Sequence, residues 1–62
     1  MPAINVEIGP LPIEQKRQLV RELTEAAANI TGAPKQAFYV FINEYPYENV
    51  AVGGELMSDR RA

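Results

Sequence analysis

The sequence contains no cysteine, no histidine and no tryptophan. The first absence removes disulfides and thiolate chemistry. The second removes the commonest metal ligand and the commonest general base near neutral pH. A very small domain without these staples must find its stability elsewhere. Positive charge is also scarce: six Lys and Arg against eight Asp and Glu leave a net charge of -2 and a pI near 4.9, which supplies no basic field for nucleic acid. No apolar run nears the roughly 20 residues that a membrane helix requires, and the N-terminus lacks the basic and apolar regions of a signal peptide. The expected setting is the cytoplasm, with no nucleic acid, no membrane and no cofactor.

What is present is a chain of 62 residues, 47% hydrophobic, read as one domain over residues 1–62. A chain this short buries only about 60% of the surface its unfolded form exposes, so a monomer is marginal. Self-association is the route left open.

Residues 2–8 alternate, with Ile4, Val6 and Ile8 on one face and Ala3, Asn5 and Glu7 on the other, the period of a half-buried strand. Gly9-Pro10-Leu11-Pro12 breaks that pattern. Pro12 ahead of Ile13-Glu14-Gln15 marks a helix start, with an acid in the first turn and no good N-cap side chain. The helix is expected to run to about Thr31 with Gly32 closing it. Leu19, Val20, Leu23, Ala26, Ala27 and Ile30 form its apolar stripe, and the pairs Glu14 with Arg17 and Arg21 with Glu25 lie on a solvated face. Lys16 lies on the apolar line and is read as a stem snorkelling at the helix end. Asn29-Ile30-Thr31 matches a glycosylation sequon but falls inside the helix, a chance match.

After Ala33-Pro34, the run Ala37-Phe38-Tyr39-Val40-Phe41-Ile42-Asn43 is nearly continuously apolar and aromatic, as in a strand covered on both faces. Strand, helix and strand make a β-α-β unit with parallel strands. Tyr45-Pro46-Tyr47-Glu48-Asn49 is turn-like, and Val50-Ala51-Val52, Gly53-Gly54 and Glu55-Leu56-Met57 spell a small hairpin. The tail from Ser58 to Ala62 is polar and expected to fray. The fold class is α+β: a β-α-β protomer with a C-terminal hairpin. Two parallel strands and one helix leave sheet edges and a sheet face uncovered, which another chain is expected to close.

Pro2 follows the initiator, and a small second residue normally lets methionine be trimmed. Trimming frees a secondary amine, whose reference pKa of about 7.7–8.0 needs only a modest depression to suit a general base. Without His or Cys, the other bases are carboxylates and lysines. Carboxylates need burial to be raised, and Lys16 and Lys35 need large depressions from about 10.4.

Pro2 after Met1, Glu14-Gln15-Lys16 with Leu19 following, Ala33-Pro34, Glu44 and Gly53-Gly54-Glu55-Leu56 occur together in one short chain. In this combination the chain resembles the 4-oxalocrotonate tautomerase family, small members of the tautomerase superfamily that use an amino-terminal proline. The resemblance covers essentially the full length. It implies that two β-α-β protomers join into a four-stranded sheet and that three such dimers form a homohexamer. It also implies that the proline amine moves a proton between carbon atoms next to a carbonyl or enol of a small substrate.

The chain departs from the family pattern at three residues, and its loop after the first strand reads one residue shorter than usual. A family arginine three residues before Glu-Gln-Lys is Leu11 here, a second arginine five residues after Ala-Pro is Tyr39, and the pocket phenylalanine aligns with Val50. In the family the arginines grip a substrate carboxylate and stabilise charge developing on oxygen. Leu11 can do neither. Tyr39 reads either as a single hydrogen-bond donor to a substrate oxygen or as an interface or core aromatic beside Phe38 and Phe41. Leu11, Phe38 and Val50 are expected to supply apolar walls that lower the Pro2 pKa. The favoured function is a tautomerase acting on a small keto-enol acid, with activity on 2-hydroxymuconate weakened. The alternatives are a non-catalytic family member and a hydratase or dehalogenase relative. Arg17, Arg21, Arg60 and Arg61 are the cations left to substitute for those lost.

Overall fold

The computed structural model describes residues 2–60; Met1, Arg61 and Ala62, which enter the readings above, lie outside the described residues. Strand β1 (Ala3–Ile8), helix α1 (Ile13–Thr31), strand β2 (Tyr39–Glu44) and the two-residue strands β3 (Ala51–Val52) and β4 (Glu55–Leu56) follow in chain order. Short 3-10 turns at Lys35–Ala37, Tyr47–Asn49 and Met57–Arg60 join or end them. The unit is β-α-β with a small C-terminal hairpin.

β1 and β2 pair in parallel, in register from Ala3 opposite Tyr39 to Ile8 opposite Glu44. Register partners share a face, so Ile4, Val6 and Ile8 lie beside Val40, Ile42 and Glu44, all half-buried. The opposite face carries Ala3, Asn5 and Glu7 beside Tyr39 and Phe41, all exposed. Within one chain the aromatic strand is therefore covered on one side only: Tyr39 is 52% and Phe41 46% exposed. Phe38 falls outside β2. It closes the turn Lys35–Ala37 by donating its backbone N–H to the Lys35 carbonyl at 3.1 Å, and Pro34 starts that turn in the extended conformation.

Helix α1 begins and ends as its residues dictate. Pro12 is extended and offers no side-chain cap, and its carbonyl accepts the N–H groups of Gln15 and Lys16, both at 3.1 Å. Gly32 closes the helix in the left-handed region, φ 79°, where a Cβ is disfavoured, and donates its N–H to Ala28 O at 2.9 Å. The Thr31 hydroxyl of the chance sequon donates to Ala27 O and accepts the Ala33 N–H, which ends the helix locally.

The half-buried line of α1 is Lys16, Leu19, Val20, Leu23, Thr24, Ala27 and Ala28. Two members of the expected stripe fall off it: Ala26 is exposed and Ile30 is 86% exposed. The reason is length. Nineteen helical residues rise about 28 Å whereas a six-residue strand spans about 20 Å, so the helix overhangs the sheet. Ile13, at the other end, is 58% exposed for the same reason.

The hairpin β3–β4 is antiparallel, with Ala51 opposite Leu56 and Val52 opposite Glu55. Gly53 and Gly54 both take positive φ, 60° and 86°, as a two-residue turn matched to strand twist requires. The tail differs from expectation up to Arg60: Met57–Arg60 is a helical turn, and Arg60 Nε lies 3.4 Å from Glu55 Oε1. Among the described residues none is buried. No helix among them is long and apolar enough to cross a membrane.

Candidate active site

Pro2 sits one residue ahead of β1 and extends its pairing, because its carbonyl accepts the backbone N–H of Tyr39 at 3.0 Å. A proline has no N–H to give a sheet, so the first position of a strand is where it fits. Pro2 and Phe38 are half-buried, while Tyr39 projects onto the open face and stacks on Phe41 with ring centroids 6.3 Å apart and planes 15° from parallel. Such a pair, two residues apart on one strand face, follows from the two-residue period of the pleat.

Leu11 and Val50 lie at the other end of the sheet. Leu11 is in the loop that leaves β1 after Ile8, and it lines a concavity of about 510 Å³ with Ile8, Gln15, Leu19 and Leu23. Val50 lines a second one of about 430 Å³ with Glu7, Gly9, Tyr45, Tyr47 and Met57. Pro2, Phe38 and Tyr39 line neither. The length of β1, about 20 Å, separates the two groups. A single chain thus brings Pro2, Phe38 and Tyr39 together at one end of the sheet and holds Leu11 and Val50 at the other.

The end that carries Leu11 holds an electrostatic contact that sequence reasoning missed. Glu44, the last residue of β2, forms an ion pair with Lys16 through Oε1 and accepts the Leu11 backbone N–H on Oε2 at 2.9 Å. Both charged side chains are about one quarter exposed. The Lys16 ammonium, then the Leu11 N–H, hold the Glu44 carboxyl below its ordinary value of 4.5, and the part-burial of the site opposes them. Lys16 is therefore not a free snorkelling stem. The signal lay in its position: a lysine on the apolar line of a helix start is aimed at the sheet, and an acid at the end of the next strand can meet it.

Of the described arginines, Arg17 and Arg60 are engaged in ion pairs. Arg17 pairs with Glu14, as expected for that i,i+3 spacing, and Arg60 with Glu55. Glu25, expected opposite Arg21, meets Lys35 instead at 3.5 Å.

The sequence matches the family described as Tautomerase enzyme over residues 2–60. A 2-hydroxymuconate tautomerase of Bacillus subtilis is 46% identical over 46 residues, 74% of each chain. A crystal structure of a 4-oxalocrotonate tautomerase homologue aligns over the whole of both chains with TM-score 0.88 and 36% identity. A heterohexamer 4-oxalocrotonate tautomerase from Chloroflexus aurantiacus J-10-fl is 31% identical, with TM-score 0.88 over 98% of this chain and all of that one. The β-α-β frame, the proline at the head of β1 and the glycine hairpin coincide with a match along the chain: it belongs to the tautomerase family, as a homologue of 4-oxalocrotonate tautomerase.

Proposed function

We propose that the protein is a tautomerase in which the amine of Pro2, freed by removal of Met1, is the general base for keto-enol proton transfer on a small carbonyl acid. The observation that carries this reading is the half-buried Pro2 at the head of β1, tied to β2 through the Tyr39 N–H. An amine fixed to a rigid strand end loses little freedom on reaching a substrate carbon. An amine of that kind needs only a small depression from its reference value of about 7.7–8.0 to act as a base near neutral pH.

The substrate class follows from the two positions where the family arginines are missing. Each lost guanidinium removes charge-assisted hydrogen bonds worth about 1.5–3 kcal/mol, so a dicarboxylate such as 2-hydroxymuconate is held poorly. Tyr39 retains one phenolic donor for a carbonyl oxygen and, with Phe41, an aromatic surface. An enol acid with one carboxylate or an aryl group suits that surface better.

Assembly is part of the proposal. The strand length that separates Pro2 from Leu11 and Val50 supports a site shared between chains, because a neighbour running antiparallel brings its own Leu11 end to this chain's Pro2 end. A homohexamer, a trimer of dimers, is the assembly we propose. The Chloroflexus relative, a heterohexamer, supports the number of chains.

The test compares Met-retained with Met-trimmed protein of otherwise identical sequence. In the retained form the nitrogen is an amide and has no proton affinity near neutral pH. Loss of general-base catalysis, a factor of about 10²–10⁴, is expected, with the trimmed form gaining activity as pH rises through the amine's titration. Equal rates in the two forms, with intact mass confirming their termini, remove Pro2 as the base.

A further inference from the structure

Residues 9–12 form a four-residue link between β1 and α1, whose last residue, Pro12, accepts the first helical hydrogen bonds of α1. It is held from two sides. A Cβ placed on Gly9 would stand 3.5 Å from the Tyr47 ring, so that ring lies against the loop. On the other side the Leu11 N–H donates to Glu44 Oε2 at 2.9 Å. The Tyr45 N–H, one residue beyond Glu44, donates to Ile8 O at 3.0 Å, which fixes the strand end from which Glu44 reaches out. Glu44 therefore touches three segments at once: the end of β2 that carries it, the loop at Leu11 and the first turns of α1 at Lys16.

We propose that Glu44 is a positioning residue for the substrate pocket: its carboxylate, anchored by Lys16, fixes the backbone of Leu11 so that the loop presents Leu11 as a wall of constant height. The inference rests on the functional reading above, in which Leu11 lines the site. An arginine at this position can reach a substrate from several loop conformations by turning its long side chain. A leucine cannot, because its contact is short-ranged and a gap of about an ångström forfeits up to about half of the attraction. The substitution that removes the guanidinium thus raises the demand on the backbone, and the Glu44 bond, whose Glu44 and Lys16 belong to the shared family pattern, serves it here. The charged acceptor makes that bond stronger than one to a neutral group. The charged or polar groups acting on Glu44 are Lys16 from α1 and the Leu11 N–H from the loop, while its β1 register partner, Ile8, is apolar.

The experiment uses the full chain in its native assembly, with Glu44→Ala, Glu44→Gln and Lys16→Met. Backbone amide exchange and proton shift at Leu11 are followed by nuclear magnetic resonance, with Leu23 in the middle of α1 as the reference for an intact fold. In the parent protein the Leu11 amide is protected, and its shift titrates with a carboxylate below the ordinary range. Glu44→Ala loses that protection, and Glu44→Gln keeps part of it through the amide oxygen but loses the titration. With an aryl 2-hydroxyacrylate as the kinetic probe, KM rises roughly tenfold in Glu44→Ala with kcat nearly unchanged. Glu44→Gln and Lys16→Met fall between that variant and the parent, and if Glu44→Ala fails to assemble these two carry the test. A Leu11 amide as protected in the variants as in the parent overturns the proposal. So does an unmoved KM while turnover still depends on Pro2. Turnover that does not depend on Pro2 in the parent overturns the functional reading itself, and the Leu11 measurement then shows separately whether Glu44 holds the loop.

Discussion

With a residue attached in front of it, the nitrogen of Pro2 is a tertiary amide; freed, it is a secondary amine a short pKa depression away from physiological pH. That difference is chemical, and it was legible in the sequence because it needs no knowledge of the fold. Tyr39 was legible only halfway. Its exposure and its stacking on Phe41 fit both a donor to substrate oxygen and an interface aromatic, since both uses require a ring on the open sheet face. Tyr39→Phe separates them, because it keeps the ring and removes the hydroxyl. If the phenol donates in the transition state, kcat/KM on an aryl enol acid falls about 2- to 10-fold, the value of one neutral hydrogen bond. An unchanged kcat/KM assigns the residue to packing. The Glu44 contact with Lys16 and Leu11 was not legible in the same way. It joins residues 28 and 33 positions apart, and its existence depends on where a helix start comes to rest over a strand end.

At the scale of elements, the alternation of residues 3–8, the span of α1 and the glycine turn followed directly from side-chain period and backbone permission. The misreadings were questions of extent. Phe38 reads as strand because it is aromatic, but the 3-10 turn that Pro34 starts runs through Ala37 and postpones β2 to Tyr39. Ile30 continues the heptad line of Lys16 and Leu23, but the sheet below it has already ended. The junction of the three long elements at Glu44 has a measurable consequence. Its carboxyl is held below 4.5 in the folded chain, first by Lys16 and then by the Leu11 N–H. The folded state therefore binds fewer protons than the unfolded state in acid, so the stabilisation is fully present above pH 4.5 and is lost as pH falls below it through the lowered folded value. Urea unfolding at pH 7 and pH 3 tests this: Glu44→Gln is expected to be less stable than the parent at pH 7 and to show a smaller loss on acidification. Parallel pH dependence in the two proteins would show that other carboxylates govern the acid limb.

As a whole molecule, one chain is extended and exposes much apolar surface. Its Cα radius of gyration is 14.9 Å, whereas a compact domain of this length has about 11 Å, and it extends 43 Å along its longest axis. Its accessible surface is 4797 Å², against about 4,000 Å² for a folded monomer of this mass. Large apolar groups are exposed on it: Tyr39 and Phe41 on the open sheet face, Val52 and Leu56 on the hairpin, Ile30 on the helix overhang. Surface of that kind, beside strands with free edges, suits contact with further copies of the chain, and the proposed site, whose residues fall at the two ends of β1, requires them independently. Phe41→Glu tests this with opposite outcomes for the two states. In a monomer Phe41 is 46% exposed, so a carboxylate there meets water and changes stability by less than about 0.5 kcal/mol. In the proposed hexamer the same carboxylate is carried into a contact with no partner for its charge, a burial that costs several kcal/mol per chain. Light scattering coupled to size exclusion is therefore expected to give a mass near six times 6.9 kDa for the parent and a smaller species for the variant, whose melting temperature becomes strongly dependent on concentration. A parent protein that runs as a 6.9 kDa species at micromolar concentration, with Phe41→Glu indistinguishable from it, would rule out both the assembly and the shared site.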